Sequence, residues 1–277
     1  LNAAAYFGLH DMGAVAPGYK ADLAVFDDLR TLNVKQVYKG GKLVAENGKM
    51  LHQKEKNTDW STEIKERVFH SFHRVPITVE ELQLKETTGT HQRVIDMVAH
   101  ELITKERIEE WKELPGVAPG VDISRDIVKL AAIERHKNTG HVGLGFLGKY
   151  GLKKGAVATS IGHDSHNLVI AGVTDEDMVL AGNRVIENGG GLAIALEGKV
   201  LADLPLPIGG LMADEPVEVV DEKLEHMKKL SVELGISEDI DAFMTLAFIS
   251  LPVIPKLRLN TYGVVDVEKH QVVEARF

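Results

Sequence analysis

The chain has 277 residues, 44% hydrophobic and 26% charged, the proportions of a soluble globular protein with room for two domains or one large one. A net charge of -9 argues against holding nucleic acid or an anionic membrane by bulk attraction, but leaves a neutral base in a pocket within reach. The absence of cysteine removes disulfides and thiolate metal sites and suits a reducing cytoplasm, and no apolar run approaches the ~18–20 residues of a membrane span.

The chain opens on Leu1, inside LNAAAYFGLHD, where Ala3, Ala4, Ala5 and Leu9 are strong helix formers. Gly8 weakens that helix and Gly13 lies past its end. A chain that begins inside an element reads as a piece of a longer protein; a short helix left by processing is the alternative. No secretory signal pattern is visible here. Strands are expected at 21–26, 34–38, 42–45 and 49–51, punctuated by Pro17-Gly18, Gly40-Gly41 and the hairpin dipeptide Asn47-Gly48, which together make a small antiparallel sheet. Residues 52–75 are polar and mixed, with a helical turn or two within 63–72, and read as an interdomain connection anchored by Trp60.

A second domain begins near Ile77. Residues 79–84 alternate weakly, 91–98 read as a strand, and 104–111 are charged and exposed. Periodicity alone does not decide between strand and helix for 126–133; breakers on both sides favour strand. Residues 143–148, GLGFLG, match the dinucleotide fingerprint G-x-G-x-x-G, but no amphipathic helix opens at Gly148 and Leu168 stands where an acid should meet a ribose. The expectation is a flexible or tightly turned loop feeding a strand at 156–161. Thr174 with Asp175, Glu176 and Asp177 reads as a capped helix start, directing Met178, Val179, Ala181, Val185 and Ile186 inward and stopping at Asn188. A hairpin follows over 192–204, then a Pro/Gly segment to Met212. A helix over 222–234 carries the stripe Leu224, Met227, Leu230 and Leu234, capped by Asp221 and ended by Gly235. The apolar run 243–251 is expected to be buried, and 256–260 to form a closing strand.

Three clusters carry chemistry-bearing residues. Gly162-His163-Asp164-Ser165-His166-Asn167 sets five proton-binding or proton-moving side chains in a row between the apolar runs 156–161 and 168–171. It reads as a presented site, or more plainly as a hairpin tip with Asp and Asn as turn formers, though a turn gains nothing from two histidines. Glu134-Arg135-His136 closes the run before it, as part of a pocket wall or as a solvated strand end. Gly189-Gly190-Gly191 exceeds what a helix end requires, so either the backbone approaches something closely there or the linker is loose.

Two resemblances follow from longer stretches. AAAYFGLHDMGAVAPGYKADLAVFDDL with VKQVYKGGKLVAENGKML resembles the end of an amidohydrolase-superfamily enzyme, where the last barrel helix is followed by strands that complete a sandwich begun at the N-terminus. ERHKNTGHVGLGFLGKYGLKKGAVATSIGHDSHNLVIAGV, NRVIENGGGLAIALEGKV, LPLPIGGLMA and IPKLRLNTYGVVDV are similar, in that order, to the C-terminal domain of bacterial adenine deaminases. The implied fold class is α+β: residues 1–11 as the last helix of a missing (β/α)8 barrel, 12–52 as part of a composite β-sandwich domain, 53–75 as linker, and 76–277 as the adenine deaminase C-terminal α+β domain.

The resemblance implies hydrolysis of adenine to hypoxanthine and ammonia, in purine salvage, by a cytoplasmic homo-oligomer. It implies a binuclear manganese or iron centre whose ligands lie in the barrel, a unit of roughly 250 residues absent from this sequence. His163-x-x-His166 is not the family's metal pair, and no metal is assigned to this chain. His163, Asp164, Ser165, His166, Asn167, Gly189, Gly190, Gly191, Glu134, Arg135 and His136 are then candidates for a substrate-site wall or lid, with adenine and the missing barrel as partners. The alternative is a non-catalytic purine-binding or oligomerisation module derived from that enzyme.

Overall fold

A computed structural model describes residues 1–51, 60–84 and 88–277, and the chain divides into two compact units, Leu1–Trp60 and Ser61–Phe277. The expected boundary at 52/53 lies outside the described residues. Among the described residues no helix is long and apolar enough to cross a membrane.

In the first unit, helix α1 (Asn2–Tyr6) is shorter than the expected 1–11; Gly8 at φ +69° lies in a left-handed conformation that no helix continues through. Strands β1 (Leu23–Phe26), β2 (Val34–Lys39), β3 (Lys42–Glu46) and β4 (Lys49–Met50) form an antiparallel sheet in chain order. The turn dipeptides act as their chemistry requires: Gly40-Gly41 and Asn47-Gly48 all have positive φ, the pairing that suits a two-residue hairpin turn. Asp22 fixes the first of these turns by accepting from the Gly40 backbone N–H at 2.7 Å and from Lys39 Nζ.

The second unit opens with α2 (Thr62–Phe69), capped by Ser61, whose Oγ accepts from Ile64 N. A 3-10 turn at Glu80–Leu82 replaces the weak alternation. Then come β5 (His91–Met97), β6 (Thr104–Glu110), β7 (Ile127–Ile133), β8 (Val142–Gly148), β9 (Ala156–Thr159) and β10 (Leu168–Gly172). Helix α3 (Asp175–Glu187) and the hairpin β11 (Gly191–Leu196) and β12 (Lys199–Pro205) follow. The chain closes through helices α4 (Val217–Glu233) and α5 (Ala242–Ile249) and strands β13 (Leu257–Asn260), β14 (Gly263–Asp266) and β15 (Gln271–Val273).

Eight strands make one sheet in the order β12-β11-β9-β10-β7-β8-β5-β6, antiparallel except for β5 beside β8. Its central strands are buried on both faces. Leu130, Ala132, Val157, Val169 and Ile194 face one apolar cluster with α4, α5 and the β13–β14 hairpin. Ala131, Ile133, Ala158, Ile170 and Ala193 face the other, with Met178, Ala181 and Val185 of α3. That double burial is why 126–133 lacks a polar face by which a sequence would betray a strand.

Several expectations need correction. Residues 143–148 are not a loop but the buried strand β8. Its glycines are there for closeness: a Cβ on Gly143 would lie 1.8 Å from Asn260 O, and one on Gly145 would press on Leu259 and Val264, so their absence lets the β13–β14 hairpin cross the sheet. Of 104–111, residues 104–110 form the edge strand β6, whose charges are paired across the sheet (Arg107 with Asp96), along the strand (Arg107 with Glu109) and to a neighbouring loop (Arg125 with Glu109), in the way that protects an edge. Asp221 does not cap α4, which starts at Val217 directly after Pro216. Val217, Val219 and Val220 are β-branched and weak helix formers, yet they lie in its first turn, where Val220 packs on the core. Strand β13 does not close the domain, since β14 and β15 pair after it.

Candidate functional site

Strands β9 and β10 pair with Val169 opposite Thr159 and leave residues 162–167 projecting from the sheet end. The tip closes on itself through His166 N–H donating to Gly162 O at 2.7 Å. One flank is tied to α5: His163 N–H donates to Ala247 O at 2.7 Å, Ser250 Oγ donates to His163 O at 3.1 Å, and the His163 ring lies 4.7 Å from the Phe248 ring. Asp164 and Ser165 are exposed at the crest, while His163, His166 and Asn167 are half-buried below it.

The triplet 134–136 meets this loop. β7 pairs with β10 so that Ile133 lies opposite Leu168, which brings the residues beyond both strand ends together. Arg135 is buried, 1% exposed, and its guanidinium gathers three segments: Nε donates to His166 O, one Nη to Gly209 O at 3.0 Å, the other to Ser71 O at 3.4 Å. Phe72 covers it, ring centroid 4.8 Å away. Burial lowers Arg135 to about 10, with Glu134 opposing, so it stays charged at neutral pH. His136 Nε2 faces Ser165 O at 2.7 Å and so carries the proton it donates; His73 Nδ1 donates to His136 O at the same distance. Glu134 organises the turn beyond. Burial pushes its carboxyl up, but the backbone N–H groups of Thr139, Lys137 and His136 outweigh that and hold it at about 2.

The glycine run joins the same cluster from the opposite side. A Cβ on Gly190 would lie 2.3 Å from Gly210 Cα, and one on Gly191 2.2 Å from Leu204 O, so the close approach is to the chain's own backbone; Gly189 has more room. Ser160, at the end of β9, locks the contact: its Oγ donates to Gly210 O at 2.6 Å and accepts from Gly191 N–H at 2.8 Å. The three clusters singled out in the sequence therefore converge around one guanidinium. Ser71, Ser160, Gly209, Gly210 and Phe248 complete the arrangement and escaped the sequence reading. Only the Gly209-Gly210 pair, outside any hairpin pattern, offered a signal.

Two polar atoms of the loop, His166 Nδ1 and Asn167 Oδ1, are buried with no hydrogen-bond partner among the described residues. Unpaired atoms of this kind are costly, and they mark where an incoming donor or acceptor is rewarded. Among the described residues no three His, Asp or Glu side chains converge to hold a metal ion.

Burial lowers the pKa of His166 below its usual 6.5, with the positive charges of Arg135, His163 and His136 adding to the effect and Asp164 opposing it. The unfolded chain therefore takes up its proton first as pH falls. The stability contributed by the neutral ring is complete above pH 6.5 and declines as pH drops toward the folded value. Between about pH 7 and 5.5 the urea midpoint of the parent should fall further than that of His166→Gln. Equal falls would show that the ring titrates as it does in water.

The fold and the site together define a class: an α+β domain that presents a polar loop from a sheet buried on both faces, preceded by a small antiparallel sheet. Residues 101–271 match the family described as Adenine deaminase C-terminal domain, and residues 1–44 match the Amidohydrolase family. The chain belongs to the adenine deaminase C-terminal domain family. Among its relatives are adenine deaminase 2 of Carboxydothermus hydrogenoformans, 45% identical over 274 residues, and the adenine deaminases of Petrotoga mobilis, 43% over 270, and Lysinibacillus sphaericus, 40% over 275. These alignments cover 98–99% of this chain but 46% of each relative, so the chain spans about half the length of the curated relatives it matches.

Proposed function

We propose that this chain is the C-terminal portion of an adenine deaminase, which hydrolyses adenine to hypoxanthine and ammonia, and that the 162–167 loop lines or closes the adenine site. The observation that carries the reading is the alignment of relatives named adenine deaminase along almost all of this chain and only half of themselves. The metal centre, manganese or iron, belongs on this reading to an N-terminal barrel, and the whole enzyme to a cytoplasmic purine-salvage step performed by a homo-oligomer.

The loop's chemistry suits the role. Adenine offers ring nitrogens that accept and an exocyclic amine that donates, and Asp164, Ser165, His166 and Asn167 supply both kinds of partner on one short turn. The unpaired His166 Nδ1 and Asn167 Oδ1 are the atoms best placed to gain from such a ligand. Single replacement of His163, Asp164 and His166 by Ala in the full-length enzyme should lower kcat/KM for adenine by about tenfold or more for at least one of them, in variants that still fold cooperatively. Wild-type kcat/KM in all three would make the loop structural only. The 277-residue chain supplied with manganese and adenine should release no ammonia, and turnover from it would overturn the assignment of chemistry to the barrel.

A further inference from the structure

A cavity of about 240 Å3 lies beside α5, walled by Met97, Leu102, Ile240, Met244 and Phe248 and containing Arg258. Arg258 is 1% exposed. One Nη donates to Leu102 O and the other to Leu257 O at 3.3 Å, while Nε is buried with no acceptor. Other buried guanidinium groups have acids at hand: Arg74 pairs with Glu81, and Arg135 has Glu134 beside it. Among the described residues Arg258 makes no ion pair, and burial lowers it to about 10, so it keeps its charge at neutral pH.

A buried cation without a counter-charge and with a free N–H is an unfavourable arrangement that a bound anion relieves. The walls restrict which anion. They are apolar, and the volume is below the about 300–1,000 Å3 of drug-sized sites, so the ligand is small and mostly apolar. Acids line the cavity too. Glu101 and Asp239 are exposed, and Asp241 is occupied as the cap of α5, accepting from Phe243 N and Met244 N. Their charge weighs against a dianion such as phosphate more than against a monoanion whose single head sits on Arg258.

We propose that this cavity binds a small monocarboxylate with an apolar or aromatic body, its carboxylate accepting from Arg258 Nε–H and its body lying between Met97, Leu102, Ile240 and Phe248. The site is distinct from the 162–167 loop, although the two share Phe248 as a wall. The proposal does not rest on the adenine reading.

Benzoate and its uncharged isostere benzamide, titrated into the whole 277-residue chain and followed by heteronuclear NMR, test it. Benzoate should give saturable shifts at Arg258 Nε–H and the Phe248 ring, with a Kd of about 1 mM or tighter, and benzamide should bind at least about tenfold more weakly. Thr245→Phe, which fills the cavity from α5 and leaves Arg258 in place, should abolish the benzoate shifts while the rest of the spectrum stays folded. Absence of saturation, equal binding of benzamide, or benzoate binding that survives Thr245→Phe would each overturn the proposal.

Discussion

Replacing Gly190 with alanine will destabilise the Ser61–Phe277 unit by about 3 kcal/mol or more. Two costs add. Gly190 has φ +124°, a conformation that L side chains rarely adopt, and its new Cβ would stand 2.3 Å from Gly210 Cα. The atom met is backbone, so no rotamer change relieves the clash. Gly210 has nowhere to retreat, because its other side faces the Arg135 guanidinium and its carbonyl accepts from Ser160 Oγ. Gly198→Ala is the control: it also has positive φ, +75°, but open space around it, and should cost only about 1 kcal/mol. Urea unfolding of both variants measures the difference. If the two lose the same stability, the packing of the glycine run against the 209–210 turn is not what the glycines serve.

Arg135→Met should cost about 2–3 kcal/mol and loosen the loop. The side chain's length and apolar stem are retained, so the loss is in the guanidinium's bonds. His166 O and Gly209 O are left without their charged donor, and Ser71 O loses a longer one. Relief of the buried charge offsets part of this, which is why the figure stays below the sum of three charged hydrogen bonds. Arg135→Lys should not rescue it, because one ammonium cannot span carbonyls that a planar fork reaches together. The distinguishing readout is local: amide exchange at residues 163–167 should accelerate in both variants while the β7 and β10 amides stay protected. Unchanged loop exchange in Arg135→Met would mean that the guanidinium does not hold the loop.

Where the sequence was legible, local chemistry decided the structure. Thr174 caps α3 by accepting from Asp177 N–H, as its spacing to that residue requires, and Met227 on α4 and Leu234 at its C-terminal end are buried. Glu197-Gly198 turns the β11–β12 hairpin with both φ positive. Where it misled, a distant segment decided. The glycines of β8 look like a loop until Asn260, Leu259 and Val264 are laid across them.

The candidate site divides in the same way. Its residue types and their grouping are written in the chain: a loop too rich in titratable groups for a turn, an acid–guanidinium–imidazole triplet, and a run of three glycines. Composition and turn chemistry act over a few residues, so one strand of text suffices to reveal them. That these groups gather on Arg135, that the crest carries Asp164 and Ser165 while His166 Nδ1 and Asn167 Oδ1 are left buried and unpaired, was decided by the pairing of β7 with β10 and by the return of the 209–210 turn. Contacts across 31 to 74 positions leave no local pattern, because what selects them is the burial of both faces of a sheet rather than any preference of the residues themselves.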